Sequence, residues 1–309
     1  MSTPDNPAEA ILKGLQHIGF TQGVRVVHGS TVATNAILER KGAKTALITN
    51  EGFEDILEIG RQNRQDLYAL DYRKPTSLIP RKWRFGVESR ICADGCEETP
   101  FNDEQARKVL KSLKEQGVES AAVCFLFSFL NNAHETQMKE LFDESGIMLS
   151  VSSELLAEFR EYERMSTTVI NAYVAPKMKS YLGQIQDALD EKSLAVMQSN
   201  GGRITAQTAM QEPVRTIYSG PAGGVVGAWT IGKQAGYDPR DFTLFSFGGA
   251  GGLHAVFLAR MLGIPRVMIP KNPGLLSAMG MLLADVVKDY SQTVMLDAGT
   301  TTAEDEGTP

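Results

Sequence analysis

The sequence is short of several things, and each shortage closes off a class of function. Cysteine occurs three times in 309 residues, at Cys92, Cys96 and Cys124. An odd count in so long a chain argues against a disulfide framework and for a reducing, cytoplasmic setting. The four histidines (His17, His28, His134 and His254) lie too far apart for metal-ligand spacing. Cys92-x-x-x-Cys96 has no second ligand pair nearby, so no zinc site, and no metal site of any kind, is assigned. No run of about 18 apolar residues occurs, which excludes a helical membrane span. The opening MSTPDNPAEA lacks a basic-then-apolar pattern, so no signal peptide is expected. Basic residues are not in excess: 31 lysines and arginines face 37 acids, a formal charge of −6. Without a basic stripe there is no groove for nucleic acid. Solenoid repeats, the Gly-x-Ser-x-Gly hydrolase elbow, the dinucleotide glycine spacing and the P-loop are all missing.

What is present is an alternation of strand-like and helix-like segments. The length suggests two domains or subdomains at about 150 residues each. Val24–Val27 reads as a short strand, Thr34–Lys41 as a helix and Thr45–Thr49 as a second strand. Asn102–Gly117 has the clearest helical period, with Ala106, Val109, Leu110 and Leu113 on one face, Asn102 as cap and Gly117 as stop. Ala121–Phe129 reads as a buried strand, Ala133–Glu144 as a helix and Ile147–Val151 as a strand, a β-α-β unit that implies parallel pairing. Prolines 75, 80 and 100 with Asp94-Gly95 make Asp71–Pro100 a loop or an irregular β excursion. Glu154–Lys192 reads as a helix interrupted at Pro176. Phe242–Phe247 reads as a strand running into four glycines and then a helix over Leu253–Leu262. The acidic tail Asp297–Pro309 is expected to be disordered. The fold class is α/β.

Three segments carry candidate chemistry. His28-Gly-Ser-Thr-Val-Ala-Thr-Asn35 follows a strand and opens a helix, where hydroxyls and N–H groups favour an anion. Plain N-capping by Ser30 or Thr31, with His28 merely hydrogen-bonded, explains the same residues. Ser219-Gly-Pro-Ala-Gly-Gly224 lets a ligand approach the backbone, or equally lets a helix pack tightly. Phe245-Ser-Phe-Gly-Gly-Ala-Gly-Gly252 places a glycine turn after a strand, where ligands of open α/β sheets bind. The cluster Arg160, Glu161, Glu163 and Arg164 reads as a solvated helix face.

Four stretches closely resemble the hydantoinase/oxoprolinase family, specifically its A-type, ATP-dependent subunit. They are His28–Gln62, Glu158–Leu182, Met197–Ile204 with Pro213–Ala228, and Asp238–Val286. They are also similar to the ATPase subunits of acetone and acetophenone carboxylases. The resemblance implies an actin-like ATPase fold built of ribonuclease-H-like halves. It implies ATP with Mg²⁺, and a reaction in which ATP activates the carbonyl or enol oxygen of a cyclic amide or a ketone. By position, Gly248, Gly249 and Gly251 resemble the adenosine-contact loop. Ser219, Gly220, Gly223 and Gly224 resemble a loop facing the cleft, while His28, Ser30, Thr31 and Asn35 fall in the N-terminal cleft motif. No catalytic acid or base is assigned. The resemblance also implies a B-type subunit as partner.

The chain departs from the family pattern in two places. No Asp-Gly-Gly-Thr phosphate turn occurs in residues 1–27 or after the Ser219–Gly224 segment, and a seam is expected near 229–237. The expected organisation is therefore a poorly ordered or partial segment over 1–23, an N-terminal-type domain over 24–192, a shortened A-type domain over 193–290 and a tail over 291–309. Three functions stay open: an ATP-dependent cyclic-amide hydrolase, a truncated non-catalytic remnant or scaffold, and the ATPase subunit of a ketone carboxylase.

Overall fold

A computed structural model of the chain describes residues 6–17, 25–63, 71, 74–189, 194–220, 222–223, 226, 234, 243–247 and 266–286. The chain divides into two compact units, one of residues 1–44 with 170–289 and the other of 45–169 with 290–309. Both are discontinuous in sequence.

The second unit is built on a parallel sheet ordered β3-β2-β6-β7, from β2 (Thr45–Asn50), β3 (Arg84–Val87), β6 (Ser120–Val123) and β7 (Met148–Val151). All six residues of β2 are buried, the continuous pattern of a parallel strand covered on both faces. Helices α4 (Asp103–Glu115) and α5 (Ala133–Phe142) supply Ala106, Val109, Leu113, Met138 and Phe142 to the same core as Ala46, Ile48 and Val123. Each of these other than the alanines contributes about 1.5–3 kcal/mol on burial. The ends of α4 follow its sequence. Asn102 Oδ1 accepts the Gln105 N–H at 3.0 Å, and Gly117 leaves the helix at φ +64°. Gln105 does not complete the reciprocal box: its side-chain oxygen takes the Glu88 N–H instead.

Two expectations are corrected in this unit, and over 71–100 the β alternative holds. The apolar run 121–129 is a strand only as far as Val123. Beyond it, Glu135 Oε1 takes the Phe125 N–H at 2.9 Å and Asn50 Oδ1 takes the Leu126 N–H at 2.7 Å, so side chains capture donors that a longer strand would offer to a ladder. The stretch 71–100 holds more than a loop, since β3 is a full partner of β2. Its Gly86 hides the strand pattern, and a Cβ there would lie 2.7 Å from Glu51 Cα. It is followed by an antiparallel hairpin of β4 (Arg90–Ile91) and β5 (Glu97–Thr99). The charged cluster is not wholly a solvated face either, because Arg164 is fully buried. Its Nη2 donates to the Phe125 carbonyl at 2.9 Å and its Nη1 to the Ser128 hydroxyl. A short turn α6 (Ser152–Leu155) carries Ser152 beside this guanidinium.

In the first unit, β1 (Val26–His28) pairs in parallel with β8 (Leu194–Met197), which pairs antiparallel with β9 (Arg203–Thr205). A second pair is parallel, β10 (Thr243–Phe245) with β11 (Arg266–Met268). The helix expected over Thr34–Lys41 is α2 (Val32–Leu38). Helix α1 (Pro7–His17) occupies part of the stretch expected to be poorly ordered or partial. Helix α7 (Glu161–Asp187) runs through Pro176 without interruption. A mid-helix proline costs about 3 kcal/mol, and the burial of Tyr173, Val174, Met178, Tyr181, Leu182 and Ile185 outweighs it. The unit also contains α8 (Ala206–Gln211) and α9 (Leu276–Leu283). The expected helix over Leu253–Leu262 and the tail 297–309 lie outside the described residues. No helix among the described residues is long and apolar enough to cross a membrane.

Candidate functional site

Parallel pairing of β1 with β8 sends two loops out from the same sheet edge. His28 stands opposite Val196, so the turn after His28 and the loop Gln198–Gly202 leave from adjacent carboxyl ends. This is where open α/β sheets expose backbone and polar side chains to ligands. The loop after β8 turns at Gly201, with φ +90°, and is tied onward to the segment before Ser219. The Ser199 hydroxyl donates to the Arg215 carbonyl at 2.8 Å and accepts the Tyr218 N–H at 3.2 Å.

The two candidate segments of this unit meet through one serine. Ser219 is fully buried; its hydroxyl donates to the Ser30 carbonyl at 3.0 Å and accepts the Ser30 N–H at 3.2 Å. Thr34 Oγ1 adds a bond to the Ile217 carbonyl. Ser30 Oγ in turn accepts the Val32 N–H at 3.1 Å, while Thr31, the residue before α2, makes no side-chain cap. Thr31, just before α2, and Asn35, four residues on, are both exposed and lie on the same side of the helix.

Ser219, Gly220, Ala222 and Gly223 are helical rather than the loop expected from the sequence. The glycines differ in what they allow. A Cβ on Gly223 would lie 2.9 Å from the Ser277 carbonyl oxygen, so its missing side chain lets α9 pack closely. A Cβ on Gly220 would meet Thr31 Cγ2 at an ordinary 3.7 Å. Gly224, Gly248, Gly249 and Gly251 lie outside the described residues.

His28 is held by a residue that sequence reasoning missed. Its Nε2 lies 2.7 Å from the Tyr181 hydroxyl on α7. Removal of the ring from solvent pushes its pKa down to about 4, so the imidazole is neutral at physiological pH. Burial also pushes the Tyr181 phenol up, opposed by a hydrogen bond with Ser30. The available signal was the position of Tyr181 beside Leu182 and four residues before Ile185, on the apolar stripe of α7.

No group of three or more histidines, cysteines, aspartates and glutamates is placed to hold a metal ion among the described residues. The second unit carries a separate cleft of about 520 Å³ at the carboxyl ends of β2 and β3, lined by Asn50, Phe53, Arg90 and Glu98 among others.

The family model for the hydantoinase/oxoprolinase N-terminal region matches residues 1–146. The hydantoinase/oxoprolinase model matches 164–236 and 229–290. The chain belongs to the hydantoinase/oxoprolinase family. It is 38% identical to an uncharacterized protein of Methanocaldococcus jannaschii, over 73% of this chain and 35% of that protein. It is 32% identical to the caprolactamase alpha subunit of Pseudomonas jessenii, over 77% of this chain and 37% of that subunit. It is 34% identical to 5-oxoprolinase 1 of Arabidopsis thaliana, over 64% of this chain and 17% of that protein. Among solved structures, nucleotide-free acetone carboxylase, from work on ATP-dependent acetone carboxylation, matches with a TM-score of 0.69 at 28% identity, over 81% of this chain and 38% of that one. The fold class is therefore the α/β architecture of the actin-like ATPases. The chain spans 35% and 37% of the length of the first two relatives.

Proposed function

We propose that this hydantoinase/oxoprolinase-family chain is part of an ATP-dependent enzyme that opens a cyclic amide of the hydantoin or 5-oxoproline type. Similarity to a caprolactamase subunit and to a 5-oxoprolinase supports the reaction class. The observation that carries the reading is the junction at the end of β1: Ser219 fastens its own segment to the turn after His28 and leaves Thr31 and Asn35 exposed beside it. ATP, when bound, supplies a phosphoryl group that turns an amide carbonyl oxygen into a leaving group. In this reading Thr31 and Asn35 offer a donor and an acceptor to a polar ligand, and neutral His28, pinned by Tyr181, accepts or donates one hydrogen bond without carrying charge. The described side chains there are hydroxyls, an amide and an imidazole, a poor fit for Mg²⁺, which takes carboxylate oxygens; no residue is assigned to it and no step runs through it. The working enzyme includes a second subunit of B type, and its setting is the cytoplasm. Two matches to the family model overlap at 229–236, which supports a seam near 229–237 in an otherwise family-like order.

A second reading is a non-catalytic scaffold. It is favoured by Ser219, whose hydroxyl is committed to the Ser30 backbone rather than turned outward.

Calorimetry with ATP and Mg²⁺, on the purified chain and on the chain co-expressed with a B-type subunit, separates the two. Saturable micromolar binding, lost in Gly249→Asp, followed by ATP-coupled ring opening of 5-oxoproline, a hydantoin or caprolactam, is the expected result. Carboxylation of a ketone in place of ring opening would transfer the chain to the carboxylase branch. A folded chain that binds no ATP in either state overturns the enzymatic reading.

A further inference from the structure

The hairpin of β4 and β5 brings two cysteines face to face. Ile91 pairs with Glu97, so the next rung of the ladder sets Cys92 opposite Cys96. The Cys92 N–H donates to the Cys96 carbonyl at 2.9 Å, and the Gly95 N–H returns to the Cys92 carbonyl at 3.0 Å. Gly95, at φ +82°, supplies the left-handed residue that a three-residue hairpin loop needs. Asp94 Oδ1 accepts the Cys96 N–H at 3.0 Å and stiffens the same loop.

Side-chain direction follows from the alternation along each strand. Ile91 is 2% exposed, and Glu97, though itself exposed, bonds the buried His134 at 2.7 Å, so both lie on the hairpin face turned toward the protein. Their neighbours Cys92 and Cys96 therefore share the outer face. Opposed antiparallel residues have Cα atoms about 4.5–5.5 Å apart, inside the roughly 4.4–6.8 Å range of disulfides. Cys96 is exposed and Cys92 partly so, whereas Cys124 is buried.

We propose that Cys92 and Cys96 are a redox-sensitive pair that closes into a disulfide at the turn of the hairpin whose Arg90 and Glu98 line the 520 Å³ cleft. The oxidant is a low-molecular-weight disulfide such as oxidised glutathione. The Cys96 thiolate attacks one of its sulfurs and releases a thiolate; Cys92, once deprotonated, attacks the mixed disulfide at the Cys96 sulfur and releases the second. Two cysteine protons pass to the two leaving thiolates, and the oxidant takes up the electron pair. The order follows from Glu98, whose Oε2 accepts the Cys92 S–H at 3.4 Å and whose charge pushes that thiol up, making Cys92 the slower partner. Closure removes the S–H donor from Glu98 and leaves that carboxylate to Arg90, whose Nε lies 3.7 Å away and whose guanidinium stands over Phe53 at 5.3 Å. Arg90, Glu98 and Phe53 all line the cleft, so oxidation alters its wall.

The test equilibrates the full chain in a series of reduced and oxidised glutathione ratios, alkylates free thiols and reads unreduced tryptic peptides by mass spectrometry. The peptide holding both cysteines is expected to lose two hydrogens and take no alkyl group, while Cys124 is alkylated only after denaturation. Accumulation of a stable glutathione adduct on Cys96 with Cys92 still free would overturn the proposal. In Glu98→Gln, alkylation of Cys92 near pH 8 is expected to quicken several-fold; an unchanged rate removes Glu98 from the scheme.

Discussion

Ser219 and Ser30 lie 189 residues apart in sequence and exchange two hydrogen bonds through one hydroxyl. The Ser219 side chain gives its proton to the Ser30 carbonyl and takes the Ser30 N–H. One side-chain atom thus meets both the donor and the acceptor of the Ser30 backbone.

Ser219→Ala removes that atom and both of its bonds to the Ser30 backbone. The expected loss is about 1–3 kcal/mol of unfolding free energy, read as a lower urea midpoint at unchanged slope. A variant as stable as the parent would mean the two segments are held by other contacts.

His28 makes stability depend on pH. Its pKa falls from 6.5 to about 4 on folding, so between those values the unfolded chain binds more protons than the folded one. The contribution is complete above about pH 6.5 and is lost as pH falls toward about 4, with an upper bound of about 3 kcal/mol. Urea titrations at pH 7 and pH 4.5, compared with His28→Gln, isolate it. The same slope in both proteins would show that the imidazole titrates normally.

Arg164 and Glu135 are both fully buried and meet through Ser152. The serine donates to Glu135 Oε1 at 2.7 Å and lies 3.4 Å from Arg164 Nη1. Arg164→Met strips the Phe125 carbonyl and the Ser128 hydroxyl of their guanidinium donor and is expected to cost about 1–3 kcal/mol. Adding Glu135→Gln should recover part of that loss, because the two changes act on one network. Strict additivity in thermal unfolding would show the two charges to be independent.

The two glycines at the start of the Ser219 helix are expected to behave differently. Gly223→Ala drives a methyl against the Ser277 carbonyl and should cost about 1–3 kcal/mol. Gly220→Ala meets only Thr31 Cγ2 at 3.7 Å and should be tolerated within about half a kcal/mol. Equal effects in a denaturant series would show that α9 does not pack on Gly223 as described.

Much of this was legible in the residues. The period of Ala106, Val109 and Leu113 with Asn102 before and Gly117 after located α4 almost to the residue, because local propensity and burial agree there. The strand over Ser120–Val123, the helix at Ala133 and the strand ending at Val151 also stand where the β-α-β pattern put them. Legibility failed where a distant group competed with the local pattern. Glu135 and Asn50 cut short the strand after Val123, Gly86 disguised β3 and packing carried α7 through Pro176. In the candidate site, His28, Ser30 and Ser219 were visible as residue types, but their partners were not. Nothing near His28 in sequence announces Tyr181, and Ser219 reads the same whether its hydroxyl faces a ligand or a backbone 189 residues away.

The sequence alone determined the α/β class, the family and the segments that matter, since these rest on hydrophobic period, glycine placement and motif identity along a line. Only the tertiary structure decided that Arg164 is buried, that Gly223 and not Gly220 is sterically required, and that Ser219 fastens two segments. Those properties depend on which atoms lie across a gap of a few ångströms, and chain order does not encode that distance until the sheets and helices have closed around it.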